Sequence, residues 1–289
     1  MKNYFVFSLM WIALIIESPA QKKDFVVTIK TREGDMVAIL YDETPKHKQN
    51  FIKLAKAHYF DSLLFHRVIA SFMIQGGDPN SKKGKTRESL GNGGPGYTIQ
   101  AEFNPKLFHK KGVLSAARLT DQQNPKKESS GSQFYIVQGT VILDENELKY
   151  DQAKLNQGLQ QYISKPEHRS AYDSLGKLYS SGNMDAFKKK VFSLAPQVEK
   201  ETGMKVTKDI SPEKLQAYTT VGGTPFLDNE YTVFGQLIKG LDVLDKIAAV
   251  KTDGSDRPVD DVRMMVTVQE LSKKKITKIY GYKYLQVKK

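Results

Sequence analysis

Arg67 is the residue with the most chemistry to offer, because it stands in an otherwise apolar run, Phe65-His66-Arg67-Val68-Ile69-Ala70. Phe72, Met73 and Gln75 follow before a Gly76-Gly77-Asp78-Pro79 break, so a guanidinium and one amide sit beside a greasy surface. A guanidinium carries five N–H donors in a fixed fork, and burying it is costly unless something accepts from it. Aromatic and branched residues ending in turn residues predict a strand here. Alternation then places Phe65, Arg67 and Ile69 on one face and His66, Val68 and Ala70 on the other. The plainer reading of the same residues is an edge-strand arginine that snorkels to water over a core of Phe72 and Met73.

Other chemistries find little support in the chain. Its 289 residues include no cysteine, which excludes disulfides, thiolate nucleophiles and cysteine-ligated zinc. His47, His66, His109 and His168 are too scattered for a metal site. Gly91-Asn92-Gly93-Gly94-Pro95-Gly96 has dinucleotide-loop spacing. That loop needs a strand before it and a helix after it, whereas Pro95 interrupts the motif and Tyr97-Thr98-Ile99 reads as a further strand. No P-loop, metalloprotease helix or nucleophile elbow is present.

Three further segments set Arg67 in a pattern: Gly112-Val113-Leu114-Ser115-Ala116-Ala117, Ser130-Gly131-Ser132-Gln133-Phe134-Tyr135-Ile136-Val137, and Phe226-Leu227-Asp228 followed by Tyr231-Thr232-Val233-Phe234-Gly235. With the run from Phe65 to Asp78, they resemble the cyclophilin peptidyl-prolyl cis-trans isomerases in kind and order. The resemblance implies a mainly β fold, a closed antiparallel barrel capped by two helices. It also implies a groove for proline-containing segments of unfolded or exported proteins, with no cofactor and no metal.

An X–Pro amide is planar through resonance, with a rotation barrier of roughly 18–20 kcal/mol. Its catalyst transfers no proton and forms no covalent bond; it must bind the twisted amide better than either planar form. Twisting makes the proline nitrogen pyramidal, and its lone pair can accept from a fixed guanidinium. The resemblance assigns that donor to Arg67, substrate-backbone hydrogen bonding to Gln75, and a place in the catalytic set to Phe72. Phe72, Met73, Tyr135 and Leu227 match the apolar pocket for the proline ring; Ala117, Gln133, Phe226 and Tyr231 match the groove wall. Tyr135 stands where the best-known members have phenylalanine. Phe226 and Tyr231 replace tryptophan and histidine of many eukaryotic members, and the loss of the indole donor argues against tight cyclosporin binding. Arg118 replaces a small polar residue and is expected to bias the site towards acidic residues before proline.

The elements that position these residues are legible in outline. Residues 24–30 and 35–41 read as a hairpin around Glu33-Gly34. Thr44-Pro45 starts a helix, with threonine as cap and Phe51, Leu54 and Ala55 on its buried face. A helix over 241–248 and a strand over 262–271 complete the domain. Between Gly139 and Thr224 the family pattern breaks, and the intervening residues follow a helical period. Leu148, Leu155, Leu159 and Ile163 mark one helix, with Asp144 and Glu147 as a cap pair. Ala171, Leu175 and Leu178 mark a second, Met184, Phe187, Val191, Leu194 and Val198 a third, and Ser211-Pro212 opens a fourth. This stretch, 141–222, carries 12 basic and 11 acidic residues, unlike a nucleic-acid arm. It reads as an insertion at a loop, not required for turnover of short peptides.

Residues 1–20 read as a signal peptide: Lys2, an apolar run over 4–16, then Ser18-Pro19-Ala20 before Gln21. The isomerase domain is expected over 21–140 and 223–272, and the protein in the periplasm, secreted, or associated with the envelope. The net charge of +12 is concentrated at the end, where seven lysines and no acid follow Leu271. That tail, 273–289, is either a solvated end or a weak contact to an anionic envelope surface, and Tyr280, Tyr282 and Tyr284 alternate as in a short strand. No nucleic-acid partner is expected. The competing function is a non-catalytic chaperone or scaffold binding unfolded envelope proteins through groove and insertion. Retention of Arg67, Phe72, Met73 and Gln75 together favours a competent groove.

Overall fold

The computed structural model describes residues 22–82 and 90–284. The expected signal peptide and the last five residues of the tail lie outside them. Among the described residues, no helix is long and apolar enough to cross a membrane.

Alternating apolar residues build one eight-stranded antiparallel sheet. Its strands are β1 (Lys23–Thr31), β2 (Gly34–Leu40), β3 (Phe65–Ile69), β4 (Met73–Gly76), β6 (Val113–Ala116), β8 (Phe134–Val137), β9 (Val233–Lys239) and β10 (Met265–Ser272). They lie in the order β10-β1-β2-β9-β6-β8-β4-β3, while β5 (Thr98–Ile99) and β7 (Ser129–Ser130) pair separately. The sheet is strongly curled. Outside the ladders, three backbone hydrogen bonds link its outermost segments: Ser62 N–H to Met264 O at 2.9 Å, Met264 N–H to Leu63 O at 2.8 Å and Phe65 N–H to Val262 O at 2.9 Å. The strands β3 and β10 share no ladder of their own, so the observed architecture is a curled half-barrel where a closed barrel is expected. Two helices cover the core as expected: α1 (Pro45–Lys56) through Phe51, Ile52, Leu54 and Ala55, and α7 (Leu241–Ala248) through Val243, Leu244, Ile247 and Ala248.

The start of α1 departs from expectation. The Thr44 hydroxyl makes no cap hydrogen bond. Instead the Glu102 carboxylate accepts from the backbone N–H of Lys46 at 3.1 Å and of His47 at 3.0 Å, and meets His47 Nδ1 at 2.7 Å. A remote carboxylate supplies the anion that a helix N-terminus attracts. The alternation read along β3 also fails, because the register shifts between Phe65 and Arg67. Phe65 joins Val68 in the inner core while Arg67 turns outward; one extra residue in one strand of a pair has this effect.

The stretch 141–222 is helical: α2 (Asn146–Lys149), α3 (Gln152–Ile163), α4 (Arg169–Ser180), α5 (Met184–Thr202) and α6 (Pro212–Thr220). Leu155, Leu159, Leu175, Val191, Leu194 and Val198 share a core separate from that of the sheet. Leu148 does not share it. Asp151 caps a new helix by accepting from Lys154 N–H at 3.2 Å, and Leu148, in the short α2, packs with Phe108 and Tyr218. The described part of the lysine-rich end is neither a strand nor a solvated tail. It forms α8 (Lys273–Tyr280), which buries Ile276 against Val26, Val37, Ile39 and Leu271, and Tyr280, Tyr282 and Tyr284 pack on the same cluster.

His66 lies in the interior with neither ring nitrogen hydrogen-bonded among the described residues. Burial pulls its pKa from 6.5 down to about 4. The unfolded chain therefore binds this proton near pH 6.5 and the folded chain only near pH 4, so stability falls as pH falls through that window. At 1.36 kcal/mol per unit the effect is about 3 kcal/mol. Urea denaturation of the His66→Gln variant should show a correspondingly flatter dependence between pH 7 and 4. An unchanged slope would place the acid sensitivity elsewhere.

Candidate active site

The pleat of β4, β6 and β8 sorts side chains between the inner core and the outer face of the sheet. Ile74, Leu114, Ala116, Phe134 and Ile136 point inward, while Met73, Val113, Tyr135 and Val137 form an outer apolar layer with Leu227 and Val233. On that outer layer opens a cavity of about 170 Å³, lined by Arg67, Phe72, Met73, Gln75, Ala117, Arg118, Tyr135, Leu227 and Tyr231. All the expected site residues except Gln133 and Phe226 meet in it. Gln133 lines a larger adjoining cleft of about 710 Å³, which shares Gln75, Ala117 and Arg118 with the first. Phe226, 69% exposed, tilts against Phe72 with ring centroids 5.6 Å apart and extends the apolar rim.

The polar groups differ in how firmly they are held. Gln75 Nε2 donates to Gln133 Oε1 at 3.1 Å, and Gln133 Nε2 donates to the carbonyls of Gly91 at 2.8 Å and Gly93 at 2.7 Å. The backbone N–H groups of the same two glycines donate to Asp78 Oδ2 at 2.6 and 3.1 Å. The glycine-rich loop thus holds an amide pair in place, a role its dinucleotide-like spacing does not suggest. A side chain at Gly93 would meet Asp78 Oδ1 at 2.0 Å. Arg67 is much freer: its side chain is 44% exposed and Nε stands 3.6 Å from Asp256 Oδ2, a loose pair between half-exposed groups. Such a pair is worth ~0–1 kcal/mol, so the guanidinium is free to donate into the cavity.

Arg118 is not free, contrary to expectation. Its side chain is 5% exposed. Nε donates to Glu230 O at 2.8 Å, Nη2 to Glu230 Oε2 at 3.0 Å, and Nη1 to Leu119 O and the Asp121 carboxylate, while the guanidinium lies over the Tyr231 ring at 4.6 Å. With four of its five donors engaged and its charge matched by two acids, it is a brace for the groove wall and has little to offer an acidic substrate residue.

Beneath the pocket lies a polar cluster that residue spacing does not announce. Tyr135, 4% exposed, places its hydroxyl 3.0 Å from His109 Nε2. His109 Nδ1 is 3.0 Å from Asp228 Oδ1, which also accepts from the His109 backbone N–H at 2.9 Å and the Tyr218 hydroxyl at 2.9 Å. Lys214 Nζ donates to Asp228 Oδ2 at 3.1 Å. Burial lowers the His109 pKa against the pull of Asp228. Burial would raise that of Asp228, but hydrogen bonds from His109 and the Lys214 charge outweigh it and hold the carboxylate ionised. Asp228 belongs to a motif visible in the sequence. Tyr218 and Lys214, on α6, carry no signal there except the helical period.

Comparison with known proteins finds similar chains over most of the sequence. The family profile described as cyclophilin type peptidyl-prolyl cis-trans isomerase/CLD matches residues 26–159 and 183–269. A Staphylococcus haemolyticus protein named for peptidyl-prolyl cis-trans isomerase activity is 32% identical over 244 residues, covering 84% of this chain and 89% of that one. A Streptococcus pyogenes protein named as a bifunctional phosphatase/peptidyl-prolyl cis-trans isomerase is 33% identical over 242 residues. This chain spans only 37% of its length. Among solved structures, a cyclophilin type isomerase of Cryptosporidium parvum, crystallised in the presence of the dipeptide Ala-Pro, superposes with a TM-score of 0.50. It has 21% identity and covers 84% of this chain and 98% of its own.

Arg118→Gln removes the hydrogen bonds to Glu230 O and Leu119 O and leaves the Glu230 and Asp121 carboxylates to Lys127. It should lower stability by about 1–3 kcal/mol in thermal or urea unfolding. The relative rates for peptides with glutamate or alanine before proline should stay as in the parent. A preference for glutamate that vanished with Arg118 would restore the specificity role.

Proposed function

The chain belongs to the cyclophilin-type peptidyl-prolyl cis-trans isomerase family, and from that premise we propose that its groove binds X–Pro segments with the proline ring among Phe72, Met73, Tyr135 and Leu227 while Arg67 stabilises the twisted amide. The observation that carries this reading is the convergence of Arg67, Gln75 and those four apolar side chains on one cavity from three separate stretches of chain. Tyr135 and Met73 are buried in the floor, so the ring has a fixed apolar seat. Gln75, anchored through Gln133, is placed to hydrogen-bond the backbone on one side of the bond while the other side turns. Ala117, Gln133, Phe226 and Tyr231 bound the rest of the groove.

Arg67 lines the same cavity that would seat the ring. In the planar substrate the proline nitrogen has no available lone pair; in the twisted state it does. The interaction is therefore made mainly in the transition state and raises turnover more than affinity. Removing one such donor typically costs about 2.7–4 kcal/mol, two to three decades in rate. Arg67→Ala should keep its fold and its affinity for a proline tetrapeptide and lose roughly that much turnover in a peptide exchange assay. Arg67→Lys should recover little, since an ammonium lacks the planar fork. Leu227→Ala removes pocket surface and should chiefly raise KM. Near-normal turnover for Arg67→Ala, with Leu227→Ala inactive, would leave apolar desolvation as the sole mechanism.

We propose further that the enzyme acts on exported proteins, assisting their folding outside the cytoplasm. The support is the charged, apolar, then small-residue pattern of residues 1–20 and the absence of cysteine. Mass spectrometry of the protein from its native cell should find Gln21 as the first residue in an exported fraction. Retention of Met1 there would overturn this placement.

A further inference from the structure

The cluster beneath the pocket reaches from the groove into the helical insertion, and its proton positions follow from its donors and acceptors. An ionised Asp228 only accepts, so His109 Nδ1 carries the hydrogen directed at it. In the neutral ring Nε2 is then an acceptor. Ser115 Oγ, 3.2 Å from Nε2, spends its hydrogen on Thr232 O at 2.9 Å. The donor to Nε2 is therefore the Tyr135 hydroxyl. The chain of contacts runs from the pocket floor, Tyr135, through His109 to Asp228, whose chain neighbour Leu227 forms the pocket wall. It ends at Tyr218 and Lys214 on α6.

The join between α6 and the domain is close. A Cβ on Gly223 would lie 2.3 Å from His109 O and 2.7 Å from the Tyr218 ring, and Thr224 N–H donates to His109 O at 2.9 Å. Tyr218 is fully buried, packed with Phe108 and Leu148. A helix in a freely separable insertion has no need to place a tyrosine and a lysine on the carboxylate beside the proline pocket.

Building on the isomerase reading above, we propose that α6 is a positioning element of the groove: Tyr218 and Lys214 hold the Asp228 carboxylate, Asp228 sets the tautomer of His109, and His109 seats the Tyr135 ring against which proline packs. Tyr218 and Lys214 touch no substrate in this arrangement and act through the side chains between. The device uses the hydroxyl at position 135; a phenylalanine there would leave His109 Nε2 without this donor.

The groups facing His109 are Asp228 from the turn after Leu227, Tyr218 and Lys214 from α6, and Tyr135 from β8, with Arg118 and Tyr231 beyond Tyr135. Lys214 opposes protonation of His109, so removing it moves that protonation to higher pH. Once protonated, Nε2 donates and no longer accepts from Tyr135.

The test uses the full chain with Tyr218→Phe, Lys214→Met, Tyr135→Phe and the Tyr218→Phe/Tyr135→Phe double variant. KM and kcat for a proline tetrapeptide are measured across pH 5–8, with ¹⁵N imidazole shifts of His109 recorded in parallel. We expect Nδ1–H neutral His109 in the parent. Tyr218→Phe should raise KM by roughly three- to tenfold, with kcat within about twofold. Lys214→Met should move the acid rise in KM and the His109 titration together to higher pH. In the Tyr135→Phe background, Tyr218→Phe should add little, because the link is already cut. If Tyr218→Phe does not fold, the paired pH shifts in Lys214→Met decide the matter alone. Folded variants with parental KM and a parental His109 titration would overturn the proposal, as would an equal Tyr218→Phe effect in both backgrounds. A parent with no isomerase activity would sink the isomerase reading instead, and the imidazole shifts, read without substrate, would still report whether α6 governs His109.

Discussion

The groove depends on the pleat of three neighbouring strands, β4, β8 and β6. Successive side chains on a strand point to opposite faces, and here both faces are apolar. Phe134 and Ile136 fill the interior while Tyr135 and Val137 face the other way, with Ile74 against Met73 repeating the division next door. The register Gln75↔Tyr135↔Ser115 aligns the three strands so that the outward residues form one surface. A one-residue slip would exchange the two faces and put Phe134 under the substrate. The site therefore inherits its rigidity from the same ladder that encloses the core.

On that surface the polar groups are graded by how tightly they are held. Gln75 and Gln133 are fixed by the glycine-rich loop, and Arg118 is locked over the Tyr231 ring by Glu230 and Asp121. Arg67 alone among them is tied only loosely, to Asp256. This division suits a reaction in which one half of an amide is kept still while a donor follows the nitrogen of the other half. A guanidinium buried as deeply as that of Arg118 would meet the planar substrate and the twisted one with the same fixed contacts, and would not distinguish them.

The polar cluster below Tyr135 is the costly part of the design. Buried hydroxyl, imidazole and carboxylate groups weaken a core unless each finds partners. Here each does, and two of the partners come from the insertion, which has its own apolar core. The consequence is mechanical as well as energetic, because a fully satisfied network admits few alternative arrangements of the tyrosine at its end. The insertion is thereby joined to the groove at the very loop that carries Leu227.

Local pattern in the sequence was enough for several of the strands, the two covering helices and the helical nature of residues 141–222, because these rest on short-range periodicity. The resemblance to the cyclophilins, carried by motifs whose residues are adjacent in the chain, supplied eight of the cavity's nine lining residues. Tertiary structure decided the rest. The bulge at Arg67 overrode the period of two because β4 sets the register of β3. Glu102, more than fifty residues away, caps α1 in place of Thr44. Arg118 looked available because its partners, Glu230 and the Tyr231 ring, lie more than a hundred residues downstream. Tyr218 and Lys214 were legible only as helix residues, since what they touch depends on how α6 meets a loop of another unit. Sequence spacing carries information about neighbours on one strand or helix; the partners of a buried charge are chosen by packing between elements, and that is settled only when the chain has folded.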